Sequence, residues 1–283
     1  MARRILNGKR LIITGASSGI GEGLTIEAAR RGCEVLATGR NEERLRRVAE
    51  EARRQGGRVE IIAGDLNIDA DRHRIIRSVE QYFGGLDLLI NNAGIGSTGH
   101  FQYAGPERLR QIMETNFFAV CELTRLAIPL LKNGNDPAIL MINSVAGRRA
   151  IASRSEYSAS KYALMGFTEA IRAELSKDNI QVHTVLPGLT QSNFEQNMIE
   201  NTARHSLHAQ RSMSAIDCAK LILNSIEARN NETVLTLKGK MLVLFSRLFP
   251  RFVDRKMAGF VKKLYAKKEQ EQQEAHERET VAH

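Results

Sequence analysis

Seven short apolar runs punctuate the chain, at 10–14, 34–38, 59–63, 86–91, 138–143, 181–186 and 233–237. Several are continuously hydrophobic rather than alternating, the pattern of a strand covered on both faces. Between them lie longer stretches with apolar residues at helical spacing. The first passes through Leu24, Ala28 and Ala29 and closes at Gly32. Strands and helices taking turns in this way predict an α/β fold, a doubly wound, seven-stranded parallel sheet with helices on both faces. A ligand of such a sheet lies across the carboxyl ends of the strands. Gly15, Asn91, Ser144 and Pro187 all fall just past such ends.

The first strand runs directly into Gly15-Ala16-Ser17-Ser18-Gly19-Ile20-Gly21, and a helix follows. Strand, glycine-rich turn and helix open a dinucleotide-binding βαβ unit, here spaced G-x-x-x-G-x-G. Gly15 permits the tight turn, Gly19 lets backbone approach a pyrophosphate, and Gly21 allows close helix–strand packing. The helix N-terminus attracts phosphate charge. The second strand ends in Gly39-Arg40, without the acid that usually meets a free ribose 2′-hydroxyl. The guanidinium of Arg40 suits a 2′-phosphate instead, so NADP(H) is preferred over NAD(H).

Tyr157 and Lys161 stand four residues apart in Tyr157-Ser158-Ala159-Ser160-Lys161, and Ser144 lies thirteen residues upstream of Tyr157. Residues i and i+4 share a helix face. A free phenol titrates near pH ~10, too high for acid–base work at neutrality. A neighbouring ammonium is expected to lower it. A lone Y-x-x-x-K also occurs as a surface tyrosine beside a solvated lysine, so the rest of the chain decides.

Thr14-Gly15-x-x-x-Gly19-x-Gly21, Asp65-Leu66, Asn91-Asn92-Ala93-Gly94, Asn116, Ser144, Tyr157-x-x-x-Lys161 and Pro187-Gly188 follow the order and spacing of the short-chain dehydrogenase/reductase family, which the chain resembles over about residues 8–237. The resemblance implies a Rossmann-type catalytic domain. It makes Asn116, Ser144, Tyr157 and Lys161 the catalytic set: Tyr157 the acid/base, Ser144 the carbonyl-positioning hydroxyl, Lys161 the partner of nicotinamide ribose, and Asn116 the holder of a relay water. It gives cofactor binding to Gly15, Ser17, Ser18, Gly19, Ile20, Gly21, Arg40, Asp65, Leu66, Asn92, Ala93, Gly94, Pro187, Gly188 and Thr190, together with Tyr157 and Lys161. Asp65 would bond the adenine amino group, and Thr190 or Ser192 the carboxamide. It also implies a homodimer or homotetramer, built through long helices near 106–131 and 156–177.

The activity expected is NADP(H)-dependent interconversion of a ketone and a secondary alcohol, with reduction of a hydrophobic, lipid- or steroid-like carbonyl. The alternatives are a catalytically silent dinucleotide-binding regulator and a membrane-docked interaction protein. Residues 189–213 are expected to form a substrate lid carrying Phe194, Met198, Ile199 and Leu207, with Glu195, Glu200, Arg204, His205 and His208. Arg148 and Arg149 are candidates for an anionic substrate group or a solvated loop pair. His100 is a candidate second catalytic group or a loop histidine.

Charge adds a last feature. The chain of 283 residues carries a net charge of +9, and the segment 238–268 holds ten cations against one acid, Asp254, which accounts for the whole surplus. That segment is also apolar, through Met241, Leu242, Leu244, Phe245, Leu248 and Phe249 before Pro250, then Val253, Met257, Phe260, Val261 and Leu264. Two amphipathic helices broken at Pro250 are expected, forming a C-terminal extension that meets an anionic membrane surface or packs against protein. Without interleaved stacking aromatics, no nucleic-acid partner is expected. The remainder, 269–283, is polar and expected to be disordered. Cys33, Cys121 and Cys218 are few and scattered, which fits a reducing compartment and gives no metal-ligand spacing. A cytoplasmic protein is expected, peripheral on the inner membrane surface where the extension engages lipid.

Overall fold

A computed structural model describes residues 2–188, 190, 194, 198–202, 213–259 and 261–262. Ser192, Glu195, Arg204, His205, Leu207 and His208 of the expected lid, and Phe260, Lys263, Leu264 and the 269–283 tail, lie outside the described residues. Chain contacts divide into two compact units, Met1–Lys240 and Met241–His283.

In the first unit the seven expected strands form one sheet among the described residues: β1 (Arg10–Thr14), β2 (Glu34–Gly39), β3 (Arg58–Ala63), β4 (Leu88–Asn91), β5 (Ala138–Ile142), β6 (Gln181–Leu186) and β7 (Glu232–Val234). Their order is β3-β2-β1-β4-β5-β6-β7 and every pairing is parallel. The order reverses between β1 and β4, so a crevice opens at their carboxyl ends.

The helices are α1 (Gly19–Arg30), α2 (Glu42–Arg54), α3 (Asp69–Phe83), α4 (Pro106–Met113), α5 (Ala119–Lys132), α6 (Ser155–Glu174), α7 (Ala215–Glu227) and α8 (Leu237–Leu248). Alternate strand residues face two separate cores. Leu11, Ile13, Val35, Ala37, Leu88, Ile90, Ala138 and Leu140 pack with Leu24, Ala28, Leu45, Ala49, Ile222 and Leu223, from α1, α2 and α7. Ile12, Leu36, Leu89, Ile139 and Met141 pack with Ile75, Val79, Ala119, Leu123, Leu164 and Ile171, from α3, α5 and α6. Because side chains alternate across a strand, both faces must be apolar, and this is why the runs read as unbroken hydrophobic stretches.

Two strand boundaries differ from the sequence reading by more than one residue. β7 ends at Val234 rather than 237, because Thr236 caps α8: its Oγ1 accepts from the Gly239 N–H at 3.1 Å and its carbonyl from the Lys240 N–H at 3.0 Å. β-branched Thr236 reads as strand, but a hydroxyl ahead of a helix competes for the backbone. β4 starts at Leu88 rather than 86, because Asp87 turns to bind Arg10, with Oδ1 at 2.7 Å from Nη2. The break expected at Pro250 is present. α8 stops at Leu248, and a further helical stretch over 250–259 starts with Pro250 in its first turn, where a missing N–H costs nothing.

Candidate active site

β1 ends at Thr14, whose hydroxyl is the hub of the crevice. It accepts from the N–H groups of Asn92 (2.9 Å) and Ala93 (3.0 Å), while Asn92 Nδ2 donates to the Thr14 carbonyl at 2.9 Å. The turn after β1 is thereby stitched to the turn after β4. Gly15 has φ +64° and Gly19 φ +57°, in the left-handed region that favours glycine. A Cβ at Gly21 would lie 2.1 Å from the Gly15 carbonyl oxygen, so only glycine lets α1 approach this closely. The N-cap of α1, Ser18, makes no side-chain capping bond, which leaves the first N–H groups of the helix facing the cradle. Ile20 packs its side chain on the core below, so backbone is what it offers a ligand. Ser17 lies over Gly39, its Oγ 3.2 Å from where a Cβ there would stand, and Arg40 beside it is exposed.

On β3's side, Asp65 Oδ1 accepts from the Asn67 N–H at 2.9 Å, closing an Asx turn. Leu66 buries its side chain in the second core and its carbonyl accepts from Arg72 at 2.6 Å. Any contact of Leu66 with a ligand is therefore by backbone. Asn91 anchors β4 to α5 through Thr124 at 3.0 Å.

The catalytic candidates converge at the ends of β4 and β5. Tyr157 and Lys161 lie on one face of α6 and are 8% and 4% exposed, so the solvated-pair reading fails. Ser144 follows β5 and its hydroxyl hydrogen-bonds the Tyr157 phenol. Lys161 Nζ donates to the Ile142 carbonyl at 3.1 Å and stands 5.8 Å from the centre of the Tyr157 ring. A Cβ on Gly94 would lie 3.7 Å from that ammonium and 3.2 Å from Asn116 Oδ1, which fixes both beside one glycine.

Asn116 falls in a π-helical turn, Glu114–Phe118, that interrupts the helix between α4 and α5. Its Oδ1 accepts from the Ile95 N–H (2.8 Å), and its Nδ2 donates to the Ile95 carbonyl (2.9 Å) and to Ser160 Oγ (3.0 Å). Both amide donors are spent, so only its oxygen atoms remain to hold a water.

The electrostatics correct one expectation. Burial raises the Tyr157 phenol above its ordinary value, and the Ser144 hydrogen bond and the charge of Arg154 do not offset it. The ammonium expected to lower it is itself penalised, since burial pulls Lys161 down to about 8. Desolvation outweighs the attraction between the two groups in this state.

Pro187 is buried after β6. Gly188 packs on Thr236, where a Cβ would come within 2.5 Å of Cγ2. Thr190 donates to the Gly188 carbonyl at 3.3 Å. Arg148 is not a substrate group: it bridges Glu169 of α6 and Glu232 of β7, so its charge is already used. His100 caps a 3-10 turn, accepting from the Gln102 N–H at 3.4 Å, and its ring lies 5.4 Å from that of Tyr103, which is loop work.

Sequence reasoning missed Asn143 and Arg108, and it named Phe194 in the expected lid without saying which way it faces. Asn143, one residue before Ser144, accepts from the Ser144 N–H at 2.8 Å and donates to the Lys161 carbonyl at 3.1 Å, tying the two candidate segments together. The Phe194 ring stands edge-on to the Tyr157 ring, with centres 5.7 Å apart, and lies against the Gly96 backbone, beside Met198. Arg108 of α4, 4% exposed, donates to Glu156 Oε1 at 2.6 Å and to Glu200 Oε2 at 2.9 Å, joining the residue before Tyr157 to the segment after Met198. Burial opposes charge on Glu156, yet the Arg108 bonds hold its carboxyl below the usual range. An arginine and a glutamate at separation 48 carry no local signal, whereas Asn143 next to Ser144 was there to be read.

A family model described as short chain dehydrogenase matches residues 9–203. The "11-beta-hydroxysteroid dehydrogenase-like 4A" of Arabidopsis thaliana is 37% identical over 224 residues, covering 78% of this chain and 74% of that protein. "Uncharacterized oxidoreductase YxnA" of Bacillus subtilis (strain 168) is 30% identical over 251 residues, 87% of this chain and 70% of its own. Among solved structures, a short chain dehydrogenase from Burkholderia cenocepacia J2315 in complex with NADP superposes with a TM-score of 0.77 at 26% identity, covering 90% of this chain and 99% of that one. A short chain dehydrogenase/reductase from Burkholderia phymatum in complex with NAD gives 0.81 at 22%, covering 88% and 96%, a likeness of fold.

Proposed function

The chain belongs to the short-chain dehydrogenase/reductase family, an oxidoreductase with a nicotinamide dinucleotide cofactor, and from that premise we propose that it uses NADP(H) to reduce a hydrophobic, steroid- or lipid-like ketone to a secondary alcohol. The observation that carries the proposal is the convergence of the Tyr157 phenol, the Ser144 hydroxyl and the Lys161 ammonium beside a glycine cradle that a Cβ would fill.

When bound, the dinucleotide supplies the hydride. The cradle of Gly15, Gly19 and Gly21, with the free N–H groups of α1, fits a pyrophosphate. One of the three donors of Lys161 is spent on Ile142, which leaves two for ribose hydroxyls. Ser144 and Tyr157 hold the substrate oxygen, and Tyr157 gives it a proton as negative charge develops. A raised phenol pKa keeps that proton in place before reaction, which suits donation and hence reduction. The Lys161 ammonium, protonated below about pH 8, stabilises the phenolate left behind. Reprotonation through water is assigned to the oxygen atoms of Asn116.

Exposed Arg40 supports NADP(H) over NAD(H) by offering a fork to a 2′-phosphate. The apolar wall of Gly96, Phe194 and Met198 supports a hydrophobic substrate, as does the likeness to the Arabidopsis hydroxysteroid dehydrogenase-like proteins. Assembly as a homodimer or homotetramer is part of the same proposal, supported by Phe118 and Tyr162, exposed by 49% and 45%. Buried free thiols at Cys33 and Cys218 support a cytoplasmic location.

The test is Tyr157→Phe. Turnover of NADPH with a panel of steroid and aryl ketones is expected to fall by at least about 10²-fold, while NADPH fluorescence titration still reports binding. Near-normal turnover would overturn the assignment.

A further inference from the structure

The surplus positive charge and, among the described residues, the longest run of exposed apolar side chains coincide in the C-terminal helices. On α8, Leu237, Met241, Leu244, Phe245 and Leu248 recur as i, i+4, i+7, i+8 and i+11. On a helix turning about 100° per residue these positions form one stripe. All five are exposed, from 44% at Phe245 to 73% at Leu237. Lys238 falls on one flank of the stripe and Lys240 with Arg247 on the other, and all three are exposed. The stretch over 250–259 repeats the theme: Phe252 is 57% exposed with Lys256 Nζ 5.5 Å from its ring centre, and Arg251 and Arg255 are exposed nearby.

An apolar stripe edged by cations on both sides is how a helix lies in a bilayer interface: the stripe enters the acyl boundary and the lysine and arginine stems reach back to the headgroups. No described helix is long and apolar enough to cross a membrane, so the arrangement lies along a surface. Charge selects the occupant. Residues 238–268 hold ten cations and one acid, so a second copy of this segment would bring like charge against like. An anionic surface neutralises it, at about 1 kcal/mol per cation near the headgroups.

We propose that α8 and the helical stretch after it form a docking surface for an anionic lipid bilayer, placing the enzyme where hydrophobic carbonyl compounds dissolve. The surface is read without turnover, so it stands or falls separately from the oxidoreductase assignment. The experiment is co-sedimentation of the full chain with phosphatidylcholine vesicles, with and without phosphatidylserine. Binding is expected on the anionic vesicles and is lost as salt is raised from about 0.05 to 0.5 M. Leu244→Ser with Phe245→Ser, and separately Lys240→Glu with Arg247→Glu, should each weaken binding at least about tenfold. The far-UV circular dichroism spectrum and the thermal unfolding midpoint should stay at the wild-type values in both, which reports that the fold is intact. Equal binding to neutral vesicles, no binding, or binding undiminished in either variant overturns the proposal. So does a shift from oligomer to monomer in the serine variant without loss of vesicle binding, which would make the stripe a contact between copies.

Discussion

Lys161→Met should make the protein more stable and inactive, with a margin of stability that depends on pH. The Lys161 side chain is buried and burial alone draws its pKa from 10.5 to about 8. Each pKa unit is worth about 1.4 kcal/mol, so holding the ammonium in this site costs the fold on the order of 3 kcal/mol at pH 7. The folded-state value lies below the unfolded one. Below pH ~8 both states carry the proton and the penalty stands in full. Between about 8 and 10.5 only the unfolded chain keeps it, so this group's contribution improves as pH rises, and above that range the penalty is gone. Methionine is an unbranched side chain of similar length with no proton to lose. It forfeits the hydrogen bond to the Ile142 carbonyl, an offset of about 1 kcal/mol.

Urea titrations of wild type and variant at matched pH isolate the group, because every other titration is shared and cancels in the difference. The variant should be the more stable at pH 7, and its margin should shrink by about 2 kcal/mol by pH 9.5. A margin that is constant across that range, or that grows with pH, refutes the reasoning.

Three further outcomes follow from the same geometry. The rate of ketone reduction, as kcat/KM against pH, should hold steady below about pH 8 and decline above it as Lys161 loses its proton; a profile flat to pH 9.5 contradicts this. Gly21→Ala puts a Cβ 2.1 Å from the Gly15 carbonyl oxygen, so NADPH affinity by fluorescence titration should drop at least about tenfold, and unchanged affinity would remove the cradle from the site. Arg108→Met strands the 2%-exposed Glu156, at a cost of about 3–5 kcal/mol in chemical denaturation, part of which Glu156→Gln in the same chain should restore; additive losses would deny that the two are paired.

How much was legible in the sequence depends on the range of the interaction. The sheet was legible because its strands are covered on both faces, so Leu11-Ile12-Ile13 and Ala138-Ile139-Leu140-Met141-Ile142 carry their burial in composition alone. The cradle was legible because φ above zero and close approach both demand glycine at 15 and 19 and at 21. The convergence of Ser144 with Tyr157 came from a family pattern. What sequence could not give was balance. It put a cation beside a phenol and predicted a lowered pKa, but how deeply α6 buries both groups is a tertiary fact, and depth reversed the sign. The same holds for Arg148, which looks like a free loop cation until α6 and β7 bring Glu169 and Glu232 to it.

The two ends of the sheet are built to opposite ends of that balance. At the amino ends of β5 and β6, polar groups answer one another. Arg4 donates to Asp136 (3.1 Å), to Gln181 (3.1 Å) and to His183 Nε2 (3.1 Å), Arg229 closes on both oxygens of Asp136 (2.9 and 2.8 Å), and His183 Nδ1 reaches the Asn230 carbonyl at 2.8 Å. With Nε2 accepting from an arginine, His183 is held neutral, and burial pulls its pKa down to about 4. At the carboxyl ends the reverse holds. Thr38 Oγ1 at the end of β2, Asn91 Oδ1 at the end of β4, Ser97 Oγ in the loop after it, and Arg72 Nε beside the turn after β3 are buried without a protein partner. Such atoms are rare in folded proteins because each costs about 1–3 kcal/mol. These four, with the two donors that Lys161 does not spend on Ile142, leave bonding capacity at the carboxyl ends of the strands, the side on which the crevice between β1 and β4 opens.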